Sequence, residues 1–169
     1  MKVTKFMEPD MNAIMDKVFA NTNHLIAGDG NSIVVGSANA GKTFRLLYEA
    51  ICRSELDGKV LVITDESERP TQTKIKLIME YIGLSKNERD GIEIEIHTTS
   101  HTGMSSHLRT LELAAEYTKG GDFAGVFIDL MSCQHASLDN YIVEAINNIK
   151  CMTCVAKQST INAHFSGEK

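Results

Sequence analysis

Nowhere in these 169 residues does an apolar run approach the roughly 20 residues that a membrane-spanning helix needs. The start, Met1-Lys2-Val3-Thr4-Lys5-Phe6, is followed by no secretory apolar segment. A cytoplasmic location without a membrane partner is therefore expected. Positive charge is scarce as well: 17 Lys and Arg stand against 22 Asp and Glu, a formal net charge of -5. That balance excludes the broad basic surface used for sequence-independent nucleic-acid binding and leaves only a local basic loop or a bound partner for such contacts. The four cysteines fit a reduced compartment, where they usually serve as small buried hydrophobes. Only two prolines occur, with no internal repeat and no low-complexity linker, so a single domain over residues 1–169 is expected.

What the chain has is apolar content, 43% of its residues, arranged in two alternating periods. From about Pro9 to Leu25, Met11, Ile14, Met15, Val18 and Phe19 fall at helical spacing, with Asp10 as a candidate cap. Met7, Met11 and Met15 lie at helical spacing, which more often means packing, although such a helix would lie outside the core sheet and its apolar stripe is also a candidate subunit contact. Turn residues Ala27 to Asn31 precede a strand at Ser32 to Gly36. An amphipathic helix then runs to Asp57-Gly58, and Lys59 to Thr64 reads as a strand buried on both faces. A further helix is expected after Arg69-Pro70, ending near Gly83. Ile92 to His97 alternates apolar and polar residues, the pattern of a strand near a sheet edge. Thr98 to Ser106 reads as a loop, followed by a helix through Leu108, Leu111, Leu113 and Ala114. Gly125 to Asp129, Leu138 to Ile149 and Cys151 to Ala156 read as strand, helix and strand. The predicted class is α/β, with a mainly parallel central sheet of about five strands flanked by helices.

Between the first apolar strand and its helix stands Gly36-Ser37-Ala38-Asn39-Ala40-Gly41-Lys42-Thr43, a full match to the phosphate-binding pattern G-x-x-x-x-G-K-[ST]. Small residues let backbone N–H groups curl around phosphates, and the helix opening at Lys42 adds its partial positive charge. Lys42 would reach the β- and γ-phosphates, and the Thr43 hydroxyl would hold Mg²⁺. The bland reading, a glycine-containing turn, is opposed by the strand, turn and helix order around it. ATP and Mg²⁺ are the implied ligands.

Ligands of parallel sheets bind beyond the carboxyl ends of the strands, and here those ends are polar. Asp129, after Val126-Phe127-Ile128, fits the acid that supports magnesium or its water shell. Glu66 is the candidate base for the attacking water, with Asp65 as a supporting acid or helix cap. Gln158 is a candidate γ-phosphate sensor, against the alternative of a solvated polar residue. Lys157 is the nearest internal candidate for a basic finger. Cys151 and Cys154 have zinc-knuckle spacing, yet residues three apart on a strand point to opposite faces, which favours a structural role. Cys133 and His135 add a weak mixed-metal alternative. His97, His101 and His107 cluster around the loop with no helical spacing and no accompanying acid, and read as polar loop residues.

The order of these parts resembles the ATPase cores of the RecA, RadA, KaiC and DnaB family. Leu25 to Gly36 is similar to that family's lead-in, and Lys59 to Ser67 to the RadA and KaiC second strand, which ends in acid-glutamate-serine. The resemblance implies an N-terminal helix over 1–25, a core over 26–158 and a tail over 159–169. It assigns Lys42 and Thr43 to phosphate and Mg²⁺, Glu66 to the base, Asp129 to the second acid and Gln158 to the sensor. It further implies rings or filaments, self-association or a larger RecA-like partner, and single-stranded DNA as a possible ligand. The family continues beyond its sensor strand with a DNA-binding loop and finger residues. Ser159 to Lys169 carries only His164 and Lys169 as potential cations. Slow or partner-dependent hydrolysis is therefore expected, with a non-hydrolysing nucleotide-binding regulator as the alternative. A thymidine-kinase-type enzyme fits less well, because Leu130 stands where that family puts a Glu and no zinc ribbon closes the chain.

Overall fold

A computed structural model describes residues 10–26, 30–37, 39–99, 104–129 and 139–157, with the side chains of 104–108, 139–142 and 157 outside the description. In chain order the elements are α1 (Met11–Asn21), β1 (Thr22–Ile26), β2 (Ser32–Gly36), α2 (Lys42–Asp57), β3 (Val60–Thr64), α3 (Glu68–Ile82), α4 (Lys86–Asp90), β4 (Ile94–Thr98), α5 (Met104–Tyr117), β5 (Gly125–Asp129), α6 (Asp139–Asn147) and β6 (Met152–Lys157). The strands form one six-stranded sheet in the order β1-β2-β6-β5-β3-β4. β1 runs antiparallel to β2, and every other pairing is parallel. The class is α/β.

Apolar strands alternate side chains across the sheet, and each face finds its own helical layer. On one face Val34, Val60, Val62, Phe127, Cys154 and Ala156 pack with residues of α1, α2 and α3. On the other, Ile33, Val35, Leu61, Ile63, Val126, Ile128 and Val155 meet α5 and α6. Burial on both sides explains why β3 and β5 read as continuous apolar runs. β4, with its alternating pattern, lies at the sheet edge as expected.

Several sequence expectations need correction. The N-terminal helix stops at Asn21, where Thr22 turns extended and its hydroxyl donates to the Val18 carbonyl at 2.6 Å. Residues 22–26 form the sixth strand, because β2 offers them a backbone ladder from Thr22 opposite Gly36 to Ile26 opposite Ser32. In the helix's apolar stripe Met15 and Val18 are buried in the chain's own core, with Met11, Ile14 and Phe19 partly buried against it, and Met7 lies outside the described residues. α3 begins at Glu68 rather than after Pro70, since the first-turn N–H groups have no intrahelical acceptor and proline sacrifices nothing there. Part of the loop expected over 98–106 is helical, as α5 starts at Met104. The short α4 was not anticipated either, although Ser85 and Glu88 form a complete capping box.

Candidate functional site

Parallel pairing with matched registers brings the strand ends into one row. Asp129 lies beside Thr64 and Ala156, Thr64 beside Thr98, and Val35 beside Lys157. Gly36 ends β2 at the same rim and opens the glycine-rich loop.

The loop is built by backbone geometry that few residues accept. Asn39 has φ 62° and Gly41 φ 92°, both in the left-handed region that Asn tolerates and Gly favours. A Cβ added at Gly41 would stand 2.6 Å from Val18 Cγ2, and one at Gly36 would stand 2.9 Å from the Asn21 carbonyl oxygen. The loop thus rests directly on α1 and its exit. Ala40 N–H donates to the Ser37 carbonyl at 3.2 Å, closing a tight turn, and Arg45 N–H donates to the Gly41 carbonyl at 3.0 Å as α2 begins. Among the described residues no side chain caps α2, which leaves its first N–H groups and partial positive charge at the end of the loop.

Lys42 is 1% exposed, and its ammonium donates to the carbonyls of Ser37 at 2.7 Å and Gly36 at 3.1 Å. Burial pushes its pKa below the ordinary lysine value, while Asp129 acts in the opposite direction. The next residue makes the long-range contact of the site. Thr43 donates its hydroxyl hydrogen to Asp129 Oδ2 at 2.8 Å, and Asp129 is 4% exposed. A hydroxyl and a buried carboxylate beside the glycine-rich loop and the start of α2 suit a hard divalent cation next to phosphate oxygens. Among the described residues, no three His, Cys, Asp or Glu side chains form a metal cage of their own.

Glu66 stands two residues beyond Thr64, whose hydroxyl accepts from the Glu66 N–H at 3.1 Å. Both carboxylate oxygens accept from the Lys74 ammonium, at 2.7 and 2.8 Å. Lys74 reaches back from α3 over the Phe44 ring, 5.5 Å from its centroid. No spacing rule pointed to Lys74 or to the seat of the loop on Val18. Asp65 is exposed, and it does not cap α3, whose N-cap is Ser67. Ala38, Gln158, Cys133, His135 and His101 lie outside the described residues, as does the His107 side chain. His97 does have an accompanying acid, contrary to expectation: its Nε2 lies 2.8 Å from Glu95 Oε1. The two cysteines of the C-x-x-C segment pack against opposite faces of the sheet, and burial pushes the Cys154 thiol up to about 12. That disposition fits packing rather than zinc.

Among the described residues, no helix is long and apolar enough to cross a membrane. Compared with protein-family models, curated proteins and solved structures, the chain matches none of them.

Proposed function

We propose that this chain is a RecA-like nucleotide-binding domain that takes ATP with Mg²⁺ at the Gly36–Thr43 loop and hydrolyses the γ-phosphate. The observation that carries the reading is the 2.8 Å contact between Thr43 and Asp129, 86 positions apart in sequence. Two residues singled out separately for one metal meet at the rim beyond the same glycine-rich loop. Loop amides and the α2 N-terminus would hold the phosphates. Lys42, already stripped of bulk water, would exchange its carbonyl partners for phosphate oxygens. Thr43 and Asp129 would hold the magnesium, which supplies charge neutralisation along the phosphate chain. Glu66 would orient the attacking water and accept its proton.

The Glu66–Lys74 pair favours a second reading, in which the chain binds nucleotide and turns it over only with a partner. Both oxygens needed to steer a water are engaged by one ammonium. Self-association, a larger RecA-like protein or single-stranded DNA would then supply the rearrangement that frees them.

The test is Mg²⁺-dependent ATP turnover by the purified chain, with and without single-stranded DNA, beside Lys42→Ala and Glu66→Gln. Turnover lost in both variants, with ATP binding retained only in Glu66→Gln, is the expected result. Glu66→Gln turnover equal to the parent would remove Glu66 as the base, and absence of ATP binding by the parent would end the whole reading. Binding without turnover until DNA is added would support the partner-dependent form.

A further inference from the structure

At the sheet edge farthest from the phosphate-type loop, with β6, β5 and β3 between them, β4 shows the geometry of a self-complementary seam. Thr99 N–H donates to the Thr64 carbonyl at 2.8 Å, and the Glu93 carbonyl accepts from Val60 N–H at 3.0 Å. Residues 93, 95, 97 and 99 therefore turn their backbone groups inward to β3, and Ile94, Ile96 and Thr98 turn theirs outward. Among the described residues no strand pairs with that outer edge. β4 contains neither proline nor lysine, and the charge it carries is on Glu95.

We propose that a second copy of this chain docks on β4, antiparallel, about a twofold axis passing beside Ile96. Three features meet in that register. Ile96 opposes the partner's Ile96, and Ile94 opposes the partner's Thr98, all with outward backbone groups, so each facing pair exchanges N–H···O bonds. Glu95 opposes the partner's His97, and His97 the partner's Glu95, at the closer, non-hydrogen-bonded positions where side chains approach most. Finally, a twofold perpendicular to the sheet sets both α3 helices on one face beside the seam. Each copy there carries an open groove of about 330 Å³ between α3 and the edge strand, lined by Ile75, Met79, Ile92, Ile94 and Ile96 together with the polar Gln72 and Lys76 of α3, which the neighbour would cover.

The charge pattern selects this occupant. Within one chain Glu95 already binds His97 at 2.8 Å and Lys59 at 2.9 Å, on the face away from the groove. Centred on Ile96, the run Glu95-Ile96-His97 is its own complement when reversed. Centred on Glu95, it would set carboxylate against carboxylate. The opposite sheet edge offers no such match: β1 reversed about His24 places imidazole on imidazole and Asn23 on Leu25. A closed pair is thus the expected assembly, with the glycine-rich loops left open to solvent.

Charge exchange tests the register. The parent should sediment as a concentration-dependent monomer–dimer mixture at up to about 200 μM, where weak interfaces become populated. His97→Glu sets Glu against Glu twice, and Glu95→Lys sets Lys against His twice, so each alone should dimerise about tenfold more weakly or worse. Mixed in equal amounts they set a Glu against a Lys at one position and keep Glu95 against His97 at the other, and a heterodimer should form. Rescue on mixing also shows that both variants fold. A parent that stays monomeric, a parent that forms higher oligomers, single variants that dimerise like the parent, or a mixture that stays monomeric would each overturn the proposal.

Discussion

His24 illustrates what one buried titratable side chain does to this domain. On β1 its Nδ1 lies 3.4 Å from Glu49 Oε1, while the buried Nε2 meets no hydrogen-bond partner among the described residues. Burial holds its pKa below 6.5, outweighing the attraction of Glu49. The unfolded chain therefore takes up a proton as pH falls through 6.5, and the folded chain does so only at lower pH. Stability that is full above 6.5 is lost on acidification down to the folded-state pKa, by at most about 1.4 kcal/mol per pH unit. His24→Gln should flatten the pH dependence of the denaturation midpoint in that window. Equal slopes for parent and variant would show that His24 is not the group responsible. At this scale Lys42, Thr43, Asp129 and Glu66 were legible because a chemical pattern or a strand end marked each one. Lys74 was not, because its role depends on where α3 aims a side chain after the chain has turned beyond β3.

At the scale of elements, α1 acts as a floor for the glycine-rich loop, and Val18 is the point of contact. Gly41→Ala combines a φ of 92° with a Cβ 2.6 Å from Val18 Cγ2. It should cost about 1–3 kcal/mol and weaken nucleotide binding. Val18→Ala alone should cost about 2 kcal/mol through lost burial. The double variant should be less destabilised than the sum, because the methyl clash is relieved while the backbone penalty remains. Strict additivity in urea denaturation would mean that α1 and the loop are energetically independent. Element types were readable from periodicity for α2, β3, β5 and β6, whose apolar patterns are long or continuous. β1 was misread as the tail of α1, because Leu25 continues the helical spacing and nothing local reports the ladder that β2 provides. α4 is marked locally by the Ser85 to Glu88 capping-box spacing, a signal that apolar periodicity does not register in so short a helix.

For the molecule as a whole, helices cover both faces of a sheet whose strand ends gather the site residues along one rim. Ligand at that rim would touch β2 and β5 together with the start of α2, so binding should stabilise the entire domain. Saturation with ATP and Mg²⁺ at about a hundredfold above Kd should add about 2.7 kcal/mol, a rise of roughly 5–10 °C in Tm. Lys42→Met should abolish that rise while leaving the ligand-free Tm unchanged or slightly higher, because it replaces a buried charge by an apolar chain of similar length. A fall in the ligand-free Tm would mean that the ammonium stabilises the loop on balance. The amino-acid order alone determined the alternation of helices and strands, the glycine-rich turn and the acids that end β3 and β5. These are written in short-range periodicity and in the backbone freedom of single residues. Only the tertiary structure decided the strand order, the antiparallel β1, the tether of Lys74 on Glu66 and the meeting of Thr43 with Asp129. Pairing partners and registers depend on which surfaces bury each other across long loops, and no local pattern carries that information.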